Sequence, residues 1–254
     1  MDETLRILLQ DYFDQMLIMT PRFKKKEYEQ VFLDMIDQYG RSINEIPLLF
    51  ESLTPEEEEA LMEDIAAVIP IHAKMKMEKL SKRDREKKAI DYNLNMAVYI
   101  IPGLSYHKNE KLIKIAQRTV AKWNEIGVTS LQLGVSSYED ISGGFKKRLC
   151  FLTTAVCESL SKSDNCYELM TLRKYRDGYL MQTKDGRALV EEYYDIAPAL
   201  VMIMNMEQDQ RVYNHLYKDY IMPCIKHIED NEPEVCKERY ICMVNEVKNK
   251  YFPS

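Results

Sequence analysis

Hydrophobic residues recur every three or four positions along most of this chain, the spacing of helices with one buried face. Near the start of the chain this pattern predicts a helix over residues 4–19, which Pro21 would end. A second apolar stripe predicts a helix over residues 26–38, which Gly40 would stop. The two stripes comprise Leu5, Leu8, Leu9, Tyr12, Phe13, Met16 and Leu17, then Tyr28, Val31, Phe32, Met35 and Ile36.

Further along, the start of a third helix carries three agreeing signals. Thr54 can cap the helix, Pro55 suits its first turn, and Glu57 completes a capping box. The next proline, Pro70, is predicted to end this helix. A fourth strong helical pattern covers residues 109–126.

Only one stretch alternates as a strand would. Residues 128–134 read Val-Thr-Ser-Leu-Gln-Leu-Gly, which predicts at most a minor strand without a partner. The predicted fold class is therefore mainly α, a multi-helix globular protein of about ten helices. The 8 glycines and 9 prolines agree with this class, because an all-β chain would need more turn residues.

A candidate hinge, Ser142-Gly143-Gly144, interrupts the helical pattern near the middle of the chain. It predicts an N-terminal helical region over residues 1–144 and a C-terminal helical region over residues 145–254.

Composition places the chain among globular proteins, with 46% hydrophobic and 30% charged residues. The net charge of −6 argues against nucleic-acid binding, which favours basic surfaces. A basic run over residues 74–88 has two interpretations. It can be a solvated helix with ion pairs such as Glu78 with Lys82, which we favour, or a contact for an anion or nucleic acid.

Several absences predict a soluble, cytoplasmic protein with no membrane association. No run approaches the roughly 20 apolar residues that cross a bilayer. The start, Met1-Asp2-Glu3-Thr4, lacks the basic residues of a secretory signal. Six cysteines are too few for a disulfide scaffold, and the cytoplasm would keep them reduced.

The C-terminal region holds the most distinctive segment. A helix is predicted to start within or just after residues 145–155, and Asn165 is predicted to cap the next one. The sequence Asp185-Gly186-Arg187 predicts a turn, and Pro198 is predicted to interrupt the following helix before an apolar helix over residues 199–206.

Five short groups in this segment carry a resemblance. They are Cys150-Phe151-Leu152 with Thr154-Ala155, Leu172-Arg173 with Tyr175-Arg176-Asp177, Gly186-Arg187, Tyr193-Tyr194 and Ala197-Pro198. In this order they resemble the bacterial CFI-box domain over residues 150–201. The chain departs from the pattern at Leu152, where isoleucine is usual, and at Val156-Cys157-Glu158, where many members have a stretch containing Tyr-Gly. The flanking sequence is similar to hypothetical proteins of clostridia-like bacteria. The resemblance implies a family and a bacterial host, but no activity.

Cys150 is the candidate catalytic residue. A helix start and nearby cations favour a reactive thiolate, and Lys146, Lys147 and Arg148 lie just upstream. A nucleophilic cysteine also needs a base, and the segment contains no histidine. Those of the chain are His72, His107, His215 and His227. We therefore favour a packing role for Cys150 over a reactive one.

Arg173, Arg176 and Asp177, with Tyr193 and Tyr194, form the candidate binding group. Two arginines on adjacent turns can hold a carboxylate or phosphate. They can equally form an internal ion-pair network, which we favour because Arg173 and Asp177 are four positions apart on one predicted helix face.

A metal site is the third possibility considered. Cys224 and His227 share a helix face, and Cys236 and Cys242 follow. Structural zinc sites favour closer pairs such as Cys-x2-Cys, so we predict no metal site. The sequence leaves any cofactor unknown.

The leading hypothesis is a non-catalytic binding or interaction module centred on the CFI-box-like segment. Its partner would be a protein or a small anionic ligand. The alternative is a cysteine-dependent enzyme or redox sensor, with Cys150 as the reactive thiol and Arg173 or Arg176 binding an anionic group. The sequence leaves both the enzyme question and the oligomeric state open.

Overall fold

The computed structural model describes residues 2–146 and 150–251 of the chain, without the side chain of Lys146. Within these ranges it contains eleven helices and no strand, which confirms the mainly α prediction. The chain divides into two compact units, Met1–Gly143 and Gly144–Ser254, and each is described by itself.

The N-terminal unit is built from long helices around an aromatic core. Its helices are α1 (Glu3–Met19), α2 (Tyr28–Glu45), α3 (Pro55–Glu78), α4 and α5 (Glu110–Glu125), and α6 (Tyr138–Lys146) begins in it. Helix α4 consists of three consecutive pieces, Lys82–Asn95, a π-helical turn Met96–Ile100, and Ile101–Ser105. Short 3-10 turns cover Thr20–Arg22 and Ile46–Phe50. The rings of Phe13 and Trp123 lie 6.2 Å apart at the centre, and both are fully buried.

The C-terminal unit contains five helices, and the first three begin within the CFI-box-like segment over residues 150–201. They are α7 (Phe151–Ser159), α8 (Tyr167–Gly178), α9 (Lys184–Glu207), α10 and α11 (Pro233–Tyr251). Again α10 has three consecutive pieces, Gln210–Leu216, a π-helical turn Tyr217–Ile221, and Met222–Glu229. A 3-10 turn, Leu180–Gln182, connects α8 to α9.

The capping prediction at the start of α3 is confirmed. The Thr54 hydroxyl accepts a hydrogen bond from the Glu57 amide, and the Glu57 carboxylate accepts one from the Thr54 amide at 2.8 Å. These two bonds satisfy amide groups that have no partner inside the helix.

Three predicted helix stops and one predicted turn are wrong. Gly40 lies inside α2, Pro70 inside α3 and Pro198 inside α9, while Gly186 belongs to the first turn of α9 rather than to a separate turn. An interior proline costs roughly 3 kcal/mol. Each of these helices continues to bury apolar residues beyond its breaker, and we attribute the continuation to that burial.

Residues 128–134 contain no strand, although their backbone is well bonded. The Asn124 side chain binds both main-chain groups of Leu133, at 2.8 Å and 2.9 Å. The Thr129 hydroxyl donates to the Asn93 side-chain oxygen at 2.6 Å. Side chains from α4 and α5 thus bind a segment that has no neighbouring strand.

The basic run is divided between two helices. Glu78 is the last residue of α3 and Lys82 the first of α4, so the predicted pair does not share a helix. The Ser81 hydroxyl caps α4 by accepting from the Asp84 amide. The predicted hinge residues Ser142, Gly143 and Gly144 lie within α6.

Across the described residues, no helix is both long enough and apolar enough to cross a bilayer.

Candidate functional site

A cavity of about 290 Å³ lies within the C-terminal unit, between the start of α7 and the helices α8, α9 and α11. Most of its wall is apolar, and this part includes Leu172, Leu180, Leu189, Val190, Ile241 and Val244. The polar part of the wall includes Cys150, Arg176, Tyr193, Tyr194, Tyr240 and Lys248. The cavity therefore gathers four of the six predicted site residues with residues of α11.

Cys150 is placed by the start of α7. It is the N-cap residue, and its carbonyl accepts from the Thr154 amide at 2.7 Å, which begins the first helical turn. Its sulfur is buried in the cavity wall, 3.6 Å from the Nη1 donor of Arg176. Of the basic residues upstream, residues 147 and 148 lie outside the described residues, as does the side chain of Lys146.

The environment of Cys150 opposes thiolate formation. Burial raises the pKa of the thiol, and the charges of Arg176 and Arg173 lower it without cancelling the effect of burial. The thiol is therefore protonated at neutral pH, whereas reactive cysteines have a lowered pKa.

Alkylation can check this protonation state directly. We expect iodoacetamide at pH 7 to label Cys150 of the native protein at least roughly tenfold more slowly than the exposed Cys242, because both burial and protonation slow the reaction. Peptide mass spectrometry over time measures both rates in one sample. Labelling of Cys150 as fast as that of Cys242 would support the reactive-thiol alternative.

Arg176 is the charged centre of the site. Its Nε and Nη2 donate to the two carboxylate oxygens of Asp177 at 2.8 Å and 2.9 Å, and its Nη1 donates to the Tyr194 hydroxyl at 2.9 Å. Burial tends to lower the pKa of Arg176, but the hydrogen bonds to Asp177, with the nearby Cys150 and Tyr194, together outweigh burial and raise it. Arg176 is thus charged, and Asp177 balances that charge.

The predicted pair of Arg173 with Asp177 is wrong. Arg173 instead donates to the carboxylate of Asp164 at 2.6 Å and to the Asp164 carbonyl at 3.0 Å. Since Arg176 holds both oxygens of Asp177 from the adjacent position, Arg173 turns toward the loop before α8. Arg173 is not among the residues that line the cavity.

Tyrosine hydroxyls connect α7, α9 and α11 along the cavity wall. The Tyr193 hydroxyl accepts from the Leu152 amide at 2.8 Å and from the Tyr240 hydroxyl at 3.4 Å. The Tyr193 and Tyr240 rings lie 5.9 Å apart, edge to face. Burial raises the pKa of Tyr193, Tyr194 and Tyr240, so their hydroxyls are protonated at neutral pH. Sequence reasoning missed Tyr240, because nothing in its local sequence relates it to a segment some fifty residues earlier.

Cys224 and His227, the pair considered as metal ligands, make contacts with other groups instead. The Cys224 thiol is buried and faces the Cys236 carbonyl oxygen at 3.7 Å, while His227 Nδ1 contacts the Glu232 carboxylate at 2.8 Å. In the part of the chain that the structure describes, no three histidine, cysteine or acidic residues form a group that could hold a metal ion.

Comparison of the chain with protein-family models, curated proteins and solved structures finds no match, so its resemblance to the CFI-box domain stays a prediction and its function has to be inferred from the cavity itself.

Proposed function

We propose that the C-terminal unit is a non-catalytic binding module that holds a small, mostly apolar ligand in its cavity. The supporting observation is the cavity itself, about 290 Å³ with apolar walls and a few gathered polar groups. Sites for small molecules are typically of this kind, with volumes from about 300 Å³ upward. In this proposal the CFI-box-like segment over residues 150–201 is the ligand-binding part of the chain, since it supplies the walls from α7, α8 and α9.

The wall contains three charged residues, Arg176, Lys248 and the exposed Glu192, and we propose that Lys248 binds an anionic end of the ligand. Arg176 is balanced by Asp177, so a ligand carboxylate gains little there. Lys248 is half-buried in the wall and has no ion-pair partner among the described residues. It lies one helical turn beyond the apolar Val244 on α11. We therefore propose a ligand with an apolar body and one carboxylate, with the carboxylate at Lys248.

Binding is better supported than thiol catalysis. A cysteine nucleophile needs a base, and the described residues that line the cavity include no histidine. Burial also keeps the Cys150 thiol protonated by raising its pKa. The one observation that favours the enzymatic alternative is the Arg176 guanidinium, 3.6 Å from the Cys150 sulfur, because it would stabilise a thiolate once formed.

A cavity-filling variant tests the proposal. Val244→Phe adds a ring at a half-buried wall position, and we expect it to weaken binding of octanoate and phenylpropanoate by at least roughly tenfold, through loss of space for the apolar body. Isothermal titration calorimetry of wild type and variant measures the change.

The same substitution elsewhere on α11 is the matched control. Val235 is exposed and does not line the cavity, so Val235→Phe should bind both acids as wild type does.

Lys248→Met tests the position of the carboxylate, and it should weaken binding of octanoate but leave binding of octanamide unchanged. Absence of binding by wild type, or equal binding by Val244→Phe, would contradict the proposal.

A further inference from the structure

Three cysteines lie together at the start of the CFI-box-like segment, and one of them, Cys150, also lines the cavity. Cys150, Cys157 and Leu169 pack in one buried cluster, and Cys166 packs against it. Cys157 is fully buried on α7, whereas Cys166 is half-buried at the N-cap of α8. Cys157 and Cys166 are neighbours, because Cys166 packs against the buried cluster that contains Cys157. The two cysteines are nine positions apart, so their proximity depends on the turn between the helices.

That turn is defined by backbone bonds. The Lys162 amide donates to the Cys157 carbonyl at 2.9 Å, and Ser161 before it has a φ of 57° in the left-handed region. The Cys166 amide then donates to the Ser163 carbonyl, also at 2.9 Å. These two closures fold the chain back after α7, which brings the start of α8 beside Cys157.

We propose that Cys157 and Cys166 are a peroxide-sensitive pair that closes to a disulfide between α7 and α8. The Cys166 sulfur attacks one peroxide oxygen and the O–O bond breaks, which gives a sulfenic acid and one water. The Cys157 sulfur then attacks the Cys166 sulfur, an S–S bond forms, and the hydroxyl leaves as a second water with the Cys157 proton. Overall, two thiols are oxidised and one hydrogen peroxide is reduced to two waters.

Access assigns the two roles. Cys166 is the partly exposed residue of the pair, so a dissolved oxidant meets it first. Cys157 has no exposed surface and can react only with a neighbour that is already in contact. This is the arrangement of an attacked and a resolving cysteine, and it differs from the Cys150 sensor that the sequence suggested.

The same unit contains a built-in control. Cys224 and Cys236 are also neighbours, with the Cys224 sulfur 3.7 Å from the Cys236 carbonyl oxygen, but both are fully buried. If sulfur proximity alone decided the reaction, both pairs would oxidise. If access of the oxidant decides it, as we propose, only the pair with Cys166 does.

A disulfide here would also affect the cavity, and this step rests on the proposed function. Cys150 begins α7, and Leu172 and Arg176 belong to α8, so the crosslink joins two helices that line the cavity. We expect the oxidised protein to bind octanoate with a Kd changed at least threefold from that of the reduced protein.

The experiment treats the full chain with limiting hydrogen peroxide, blocks remaining thiols with N-ethylmaleimide, and maps peptides without reduction. We expect a Cys157–Cys166 linked peptide that dithiothreitol removes, with Cys224 and Cys236 recovered as thiols after denaturation. In Cys157→Ser, dimedone should trap a sulfenic acid on Cys166. In Cys166→Ser, Cys157 should stay reduced.

Three results would overturn the proposal. They are a Cys150–Cys157 disulfide in place of the proposed one, oxidation of Cys224 with Cys236 at an equal or faster rate, and no disulfide in wild type while Cys166 oxidises. The binding arm separates the two proposals. If octanoate binds neither form while the linked peptide appears, the proposed function fails and the disulfide stands.

Discussion

Glu168→Gln is expected to lower the free energy of unfolding by about 3 kcal/mol at pH 7. At pH 3 this loss should be smaller by about 2 kcal/mol. Glu168 is buried in the C-terminal unit, where its carboxylate accepts from Lys162 at 2.8 Å and from Tyr217 at 2.6 Å. Burial alone would raise the pKa of this carboxyl, but the hydrogen bonds outweigh it and lower the pKa to about 2.

The direction of the pH dependence follows from that lowered pKa. A carboxyl with a lower pKa in the folded state stabilises the fold while it is ionised in both states. This contribution is complete above the ordinary pKa of 4.5 and is lost as the pH falls toward about 2. Glutamine keeps the shape of the side chain but removes the charge, so the variant lacks this pH-dependent contribution.

Urea unfolding of both proteins at pH 7, 5, 4 and 3 measures the difference. Glu238→Gln is the matched control in the same unit, because Glu238 is exposed on α11. That control should change stability little at any of these pH values. An equal loss for Glu168→Gln at pH 7 and pH 3 would contradict the account of this carboxylate.

Gly186→Ala is expected to destabilise the C-terminal unit by about 1–3 kcal/mol. A Cβ at this position would lie 2.1 Å from the Leu180 carbonyl oxygen and 2.8 Å from its carbon. These are backbone atoms, which cannot move without opening the turn between α8 and α9. That turn is further closed by the Thr183 hydroxyl, which caps α9 by accepting from the Gly186 amide at 3.0 Å.

Gly178→Ala is the control for this substitution. Gly178 ends α8 in the same unit, and a Cβ there would meet nothing within 4 Å. Because alanine favours helices over glycine by about 1 kcal/mol, this variant should be neutral or slightly more stable. Thermal unfolding followed by circular dichroism compares the two, and equal midpoints would show that the close approach at Gly186 does not matter.

Much of the fold could be predicted because helix formation has strong local signals. The apolar stripe and the Thr54 capping box lie within a few residues of the structure they predict. The predicted stops at Gly40, Pro70 and Pro198 failed for a physical reason. A breaker has a fixed local cost, and the burial that outweighs it depends on neighbours far away in sequence.

The candidate site was predictable only in part for the same reason. Cys150, Arg176, Tyr193 and Tyr194 lie close enough in sequence to be grouped, and they do line one cavity. The residues of α11 complete that cavity from a distant part of the chain, where no local pattern marks them. The partner of Arg173 was also wrong, because spacing cannot decide which of two arginines reaches a shared carboxylate.

Fluorotyrosine NMR tests the central claim, that this cavity binds a small apolar acid, most directly. The chain has 17 tyrosines, and Tyr→Phe variants assign the signals of interest. On titration with phenylpropanoate we predict saturable shifts for Tyr193, Tyr194 and Tyr240, which line the cavity, and none for Tyr12 and Tyr28, which are buried in the N-terminal unit. Unchanged signals for the three cavity tyrosines at saturating acid, or equal shifts for Tyr12 and Tyr28, would contradict it.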